Sequence, residues 1–275
     1  MQINHFCPYW GCENESVEIF IDKVIDAGYD GIEIFIPSSE NFSRDLMAKI
    51  EEVLLEKPGF TFIAQQLTVP ENETVDAYIS KMEKSLLQLA SYQPGFINSH
   101  TGKDYYSFDD NCRVIEAALN VSSKTGVNIF HETHRGRFSF HASSLLPYLK
   151  KFPELKLVGD FSHFCVVSES LLQDQEEIIQ QIIPHVSHIH ARVGYEQGPQ
   201  VNDPAAPEWL HHFNWFAGWW EDIICSKIEH GHQLFTITPE FGPAPYMPLV
   251  PFTQQPVSNQ WTNNIFMKDK LKKLM

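Results

Sequence analysis

Cysteine is sparse and unpatterned in this chain. The five residues at positions 7, 12, 112, 165 and 225 form no CxxC pair and no zinc-finger spacing. That excludes a disulfide framework or a thiolate metal site, and makes a reducing cytoplasm the expected compartment. No GxGxxG follows the first strand-like run, so the usual mark of a dinucleotide-binding open sheet is missing. No apolar run approaches the ~20 residues that span a bilayer. The segment MQINHFCPYW has no basic stretch ahead of an apolar core, so neither a signal peptide nor a membrane partner is expected. Positive charge is scarce too, with 20 Lys and Arg against 35 Asp and Glu and a net charge of −15. A phosphate backbone is repelled by such a surface unless the cations are gathered in a groove. Nucleic acid is therefore not the expected partner, and a small molecule is.

What is present is a regular alternation. Short β-branched or aromatic runs occur at 2–6, 31–36, 60–67, 96–100, 127–132, 155–160, 185–193 and 233–240. Amphipathic segments lie between them: 17–28, ending on Gly28; 75–92; 111–126, closing on Gly126; and 170–183, just before Pro184. Strands alternating with helices imply parallel pairing through right-handed crossovers. Eight repeats in 275 residues predict an α/β fold, a (β/α)8 TIM barrel. No linker rich in Gly, Pro or Ser divides the chain, so residues 1–275 read as one domain, with an extra C-terminal helix at its end.

Side chains at the C-terminal ends of barrel strands converge on one mouth. The fifth to eighth runs end on or near Glu132, Asp160, His190 and Glu240. Taken singly, Asp160 reads as a helix cap, either glutamate as solvated, and His190 as a hydrogen-bonded structural residue. Taken together they place three carboxylates and an imidazole at one level. Unpaired, those like charges repel strongly at low dielectric, and one divalent metal ion removes that cost. Oxygen-rich donors with one imidazole suit Mn, Mg or Co, with Zn also accommodated.

At these positions HET (131–133), GDFSH (159–163), HIH (188–190) and TPEFG (238–242), together with GYDGIEIF (28–35), resemble the xylose-isomerase-like TIM barrel superfamily, the sugar phosphate isomerase/epimerase family. The resemblance implies that Glu132, Asp160, His190 and Glu240 bind the metal and that His163 contacts substrate oxygen or, as in endonuclease-like members, a second metal. It also implies that Glu132 and Glu240 act as a catalytic acid/base pair, and that homodimers or homotetramers are common. The implied activity is isomerisation or epimerisation of a keto-sugar through an enediolate. A polyol lyase or dehydratase and an endonuclease-IV-like phosphodiesterase are the alternatives within the same superfamily, and a non-enzymatic sugar-binding barrel is the alternative outside enzymes.

The chain departs from the ketose epimerase pattern after the seventh run, where HIHARVGYEQ puts Arg192 two residues beyond His190 and no arginine further on. Arg192 joins His100, Lys103, His134, Arg135 and Arg137 as basic groups expected near the mouth. They either pair with acidic loops or hold an anionic substrate group. Trp10 and Phe6 are expected to form one wall. The aromatic stretch 209–220 fits either core packing or an apolar wall or subunit interface. Segment 194–208, rich in Gly and Pro, is expected to cover the substrate. His211 and His212 point in different directions on a helix and give only a weak metal signal.

Overall fold

The computed structural model describes residues 1–67 and 71–274. Eight parallel strands close into a barrel in sequence order: β1 (Gln2–Pro8), β2 (Gly31–Ile34), β3 (Thr61–Gln66), β4 (Phe96–Ser99), β5 (Ile129–Glu132), β6 (Leu157–Gly159), β7 (Val186–Ala191) and β8 (Leu234–Pro239). Closure runs through β1 against β8, with Asn4 opposite Thr236 and His5 opposite Ile237.

The helices form where caps and apolar spacing coincide. α1 (Val17–Asp26) starts at Ser16, whose hydroxyl accepts the Ile19 amide, and it buries Val17, Phe20, Ile21 and Val24. α2 (Glu40–Glu56) and α3 (Val75–Ser91) are capped in the same way by Ser39 and Thr74. α4 (Phe108–Thr125) ends on Gly126, which adopts the left-handed conformation that glycine reaches without strain. α5 (Ala142–Lys151) precedes β6, and α6 (Phe161–Ser168) follows it directly.

The helix expected over 170–183 is shorter than its pattern. Only α7 (Glu176–Ile182) forms, because α6 ends at Glu169 in a left-handed turn and Leu172 also takes a positive φ to bury its side chain in the core. α8 (Leu210–Glu229) holds the aromatic stretch. Phe213, Phe216, Trp219 and Trp220 are buried between barrel and helix ring, so packing is what this stretch does. α9 (Gln260–Leu274) is the expected final helix, and its Lys268 and Lys272 donate to the carbonyls of Ala27 and Gly28. Among the described residues, no helix is long and apolar enough to cross a membrane.

Inside the barrel, Phe6, Ile63, Phe96, Phe130 and Val158 pack together. Phe6 thus belongs to the barrel plug. Of the two residues expected to form a wall, only Trp10 reaches the cavity, because Phe6 lies inside β1 while Trp10 lies beyond its end.

Candidate active site

The strands deliver their polar residues at their C-terminal ends. Glu132 closes β5 and His190 lies one residue before the end of β7. His100, Asp160 and Glu240 each fall one residue past β4, β6 and β8. Glu132, Asp160, His190 and Glu240 are all buried, and one ligating atom from each lies within 4.8 Å of the others.

Asp160 does two things at once. Its Oδ1 caps α6 by accepting the Ser162 amide at 3.0 Å, which is the ordinary reason for an aspartate after a strand. Its Oδ2 is thereby turned toward the cluster, against the Arg192 guanidinium and 3.6 Å from His163 Nε2.

His190 is oriented by a residue the sequence reading did not single out. Glu33, the inward side chain of β2, accepts the His190 Nε2 proton at 2.9 Å. The same carboxylate also accepts Gln65 at 3.1 Å, Asn98 at 3.0 Å and Thr238 at 2.6 Å. With one proton held on Nε2, the ring turns Nδ1 to the mouth, 2.9 Å from Glu240 Oε2 and 3.8 Å from Glu132 Oε2. Burial pushes the ring down, but Glu240, Glu33 and Glu132 outweigh it and hold it well above its ordinary value, so an ion there would displace the Nδ1 proton. Nδ1 is buried and finds no well-directed hydrogen bond there. A lone carboxylate among β-branched residues in GIEI was the available signal for Glu33.

The electrostatics split the carboxylates. Burial pushes Glu132 upward, but His100 and His190 together outweigh it and hold Glu132 well below its ordinary value. Burial also pushes up Glu240 and Asp160, and there the neighbouring cations offset it only in part, so both stay raised. His134 and His163 are held well below the ordinary imidazole value, by burial first, with the Arg192 guanidinium adding to it in both. Both rings are therefore neutral at pH 7 and can accept as well as donate.

A cavity of about 300 Å³ opens above this cluster. Glu132, Glu240, His100, His134 and Arg192 reach it, and Trp10 lines its side. His100 Nε2 lies 3.0 Å from Glu132, and the His134 ring sits 3.9 Å from that of His163. His163 is fully buried behind the lining, in contact with Arg192. Arg192 is buried as well, with Nη1 3.4 Å from Glu240 Oε2 and its guanidinium over the Tyr246 ring.

The other three cations fall elsewhere. Arg135 stacks on Tyr246 at 5.2 Å but is not part of the cavity lining. Lys103 and Arg137 line a separate shallow depression with Glu71, Glu73 and Asp104, so the expected mouth cluster is smaller than the sequence suggests. The reason is local: the turns after β4 and β5 carry Lys103 and Arg137 outward past Gly102 and Gly136, both at positive φ. Segment 194–208 also departs from expectation. None of its residues lines the cavity, because Gln200 clamps it to Gly242 through two hydrogen bonds of 2.7 and 3.1 Å. Glu196 and His212 pair with each other at 3.1 Å.

Three oxygen donors and one buried, undirected ring nitrogen make a set that fits a divalent ion. The description "xylose isomerase-like TIM barrel" matches residues 21–218. The chain belongs to the xylose isomerase-like TIM barrel family. Among solved structures, this family member is similar to 3-keto-D-glucoside 4-epimerase YcjR from E. coli, at 14% identity and TM-score 0.62, over 99% of this chain and 100% of that one. It is also similar to the IOLI protein with a bound zinc atom, at 12% identity and TM-score 0.64, over 100% and 98%. A third is the probable 3-DHS dehydratase AsbF from Bacillus anthracis, at 17% identity and TM-score 0.57, over 89% and 94%. No curated protein matches the chain. At these identities the likeness is one of fold.

Proposed function

We propose that this family member is a divalent-metal-dependent isomerase or epimerase of a sugar-derived α-hydroxy ketone. The observation that carries the reading is the convergence of Glu132, Asp160, His190 and Glu240 within 4.8 Å beneath a cavity that Glu132 and Glu240 both reach. Glu132, Asp160, Glu240 and Nδ1 of His190 would hold the ion, which when bound polarises the substrate's carbonyl and neighbouring hydroxyl.

The remaining work falls to the chain's own groups. Glu132, bonded to His100 and Asn98, is oriented to take a proton from the carbon beside the carbonyl. Glu240 approaches from β8 and is placed to return a proton to the enediolate. Proton return at the neighbouring carbon gives isomerisation; return to the same carbon from the opposite face gives epimerisation. His134 lies at the cavity surface with its Nδ1–H donating to the Arg135 carbonyl at 2.6 Å, which leaves Nε2 as a neutral acceptor for a substrate hydroxyl, and His163 supports it from behind. Arg192 supplies the one guanidinium in the lining, suited to a carboxylate, a phosphate or the oxyanion that develops in the reaction. Loss of water from a polyol that carries a ketone begins with the same proton removal beside the carbonyl, and the β-hydroxyl then departs as water with a proton from Glu240. A dehydratase is therefore the second reading, and the likeness to the AsbF fold accords with it.

The test is elemental analysis of the purified protein beside Asp160→Asn and Glu240→Gln. About one Mn, Mg, Co or Zn per chain is expected in the wild type, with both variants depleted. Keto-sugars and their acids or phosphates are then screened for exchange of carbon-bound hydrogen with deuterated solvent. A wild-type chain that binds no divalent ion after reconstitution would sink the assignment.

A further inference from the structure

The cavity is two-sided. The charged cluster lines one part of it, and the rest of the lining is largely aromatic or apolar: Tyr9, Trp10, Phe35, Pro37, Leu67 and Tyr246, the last packed on Arg192, with Gln65 among them. Two of these stand out by exposure. Phe35 is 45% and Leu67 39% accessible, although the residues before them, Ile34 and Gln66, are buried. They follow neighbouring strands, β2 and β3, and so form one continuous rim. Trp10 is held rigidly. Its ring lies where a Cβ on Gly242 would sit, about 2.1 Å away, so that only glycine leaves it room, and its edge meets Tyr246 at 5.0 Å. The one carboxylate on this side, Glu13, already accepts the Gly11 amide at 2.9 Å.

Such a lining offers few hydrogen-bonding groups to replace the water that sugar hydroxyls lose on entry: the Tyr9 and Tyr246 hydroxyls, the Trp10 indole N–H and a Gln65 amide that already donates to Glu33. An open-chain polyol lying along it is therefore penalised at most of its hydroxyls. An apolar group there instead covers Phe35 and Leu67 and stacks on a preset indole. We propose, resting on the reading above, that the substrate is a cyclic hydroxy ketone whose end remote from the reacting oxygens carries an apolar substituent, aryl or alkyl. Its oxygens face Glu132, Glu240 and Arg192, and its substituent lies between Trp10 and the Phe35–Leu67 rim. The cavity's 300 Å³ accommodates one ring and a compact substituent, at the small end of ligand sites.

Two inert probes differing only in that substituent test this: phenyl β-D-glucopyranoside and methyl β-D-glucopyranoside, each titrated calorimetrically into the metal-reconstituted full chain. The phenyl compound is expected to bind about tenfold tighter or better. In Phe35→Ser and Leu67→Ser, both at exposed positions where melting temperature checks folding, the ratio is expected to fall toward one. Equal affinities, tighter methyl binding, no phenyl binding at millimolar concentration, or a preference untouched by both variants would each overturn the proposal. Metal content of the same samples separates the two claims. Bound metal without a phenyl preference removes only the substrate class, whereas a rim-dependent phenyl preference without metal removes the metal-dependent reaction and keeps the wall.

Discussion

Two polar layers are stacked inside this barrel, and they are built on opposite rules. In the lower layer Glu33 is buried yet accepts hydrogen bonds from His190, Gln65, Asn98 and Thr238. Burial alone would raise its pKa, but His190 and His188 outweigh that and hold it well below the ordinary value. In the upper layer Glu240 and Asp160 are equally buried but stay raised, and the Nδ1 of His190 has no directed partner. The lower layer is a finished structure. The upper layer is left short of charge compensation in the place where a cation and a substrate would supply it, which is how a site exchanges stability for reactivity.

The largest effect that would break this contrast lies at Glu33. Glu33→Ala leaves the His190 imidazole buried without its anion, and a loss of about 3–5 kcal/mol is expected in urea unfolding. The gentler Glu33→Gln is expected to weaken divalent-ion binding by about 10–100-fold while the fold persists, the usual effect of loosening a ligand's orienting partner. A Glu33→Ala protein as stable as the wild type would show that the two layers do not differ.

A second, smaller effect separates the barrel's inside from its outside. His131, next to Glu132 but facing the helix ring, is fully buried and its burial lowers its pKa to about 4. Its only hydrogen-bonding contact among the described residues is Nδ1 to the Thr101 hydroxyl, 2.7 Å away. The unfolded chain protonates this ring below about pH 6.5, whereas the folded chain resists until about pH 4. The unfolded state therefore binds more protons in that window, and stability falls as pH drops from 6.5 toward 4, by about 3 kcal/mol in total from this ring. Thermal melts across that range are expected to show the decline, and His131→Gln to make it shallower, with His5 and the other buried neutral histidines supplying the rest.

The smallest effect has the opposite sign. Because the fold under-compensates Glu240, Glu240→Gln is expected to leave stability unchanged or raise it by up to about 1 kcal/mol at pH 7 when both proteins are compared stripped of metal. A melting temperature well below wild type would place Glu240 among the structural carboxylates with Glu33.

Legibility from sequence followed the same division. The barrel was readable because strand and helix periods alternate eight times, and Glu132, Asp160, His190 and Glu240 were readable because strand ends sit at one level whatever the loops do. Glu33 was hidden because it lies inside an apolar run and its partners come from four other strands, β3, β4, β7 and β8. The placement of Lys103 and Arg137 was illegible for another reason: two glycine turns decide whether those side chains face the mouth, and spacing along the chain does not encode the turn. Phe6 was misplaced by a matter of depth, since β1 is long enough to hold both a plug residue and, past its end, a wall residue.

The pairing of β1 with β8 has a consequence for how the chain comes to be active during synthesis. Glu240 enters the cluster only when the eighth strand docks on the first, and the lysines of α9 clasp the end of α1 only after β8 has been made. Contacts joining opposite ends of the sequence carry the highest loop-closure cost and form late. An emerging chain can assemble Glu33, Asn98 and Glu132 in order, but the four-residue cluster comes into being as the ring shuts. A polypeptide that stops short of β8 thus carries most of the barrel's surface without the assembled cluster, and metal capture at the proposed site would report that the eighth strand has arrived.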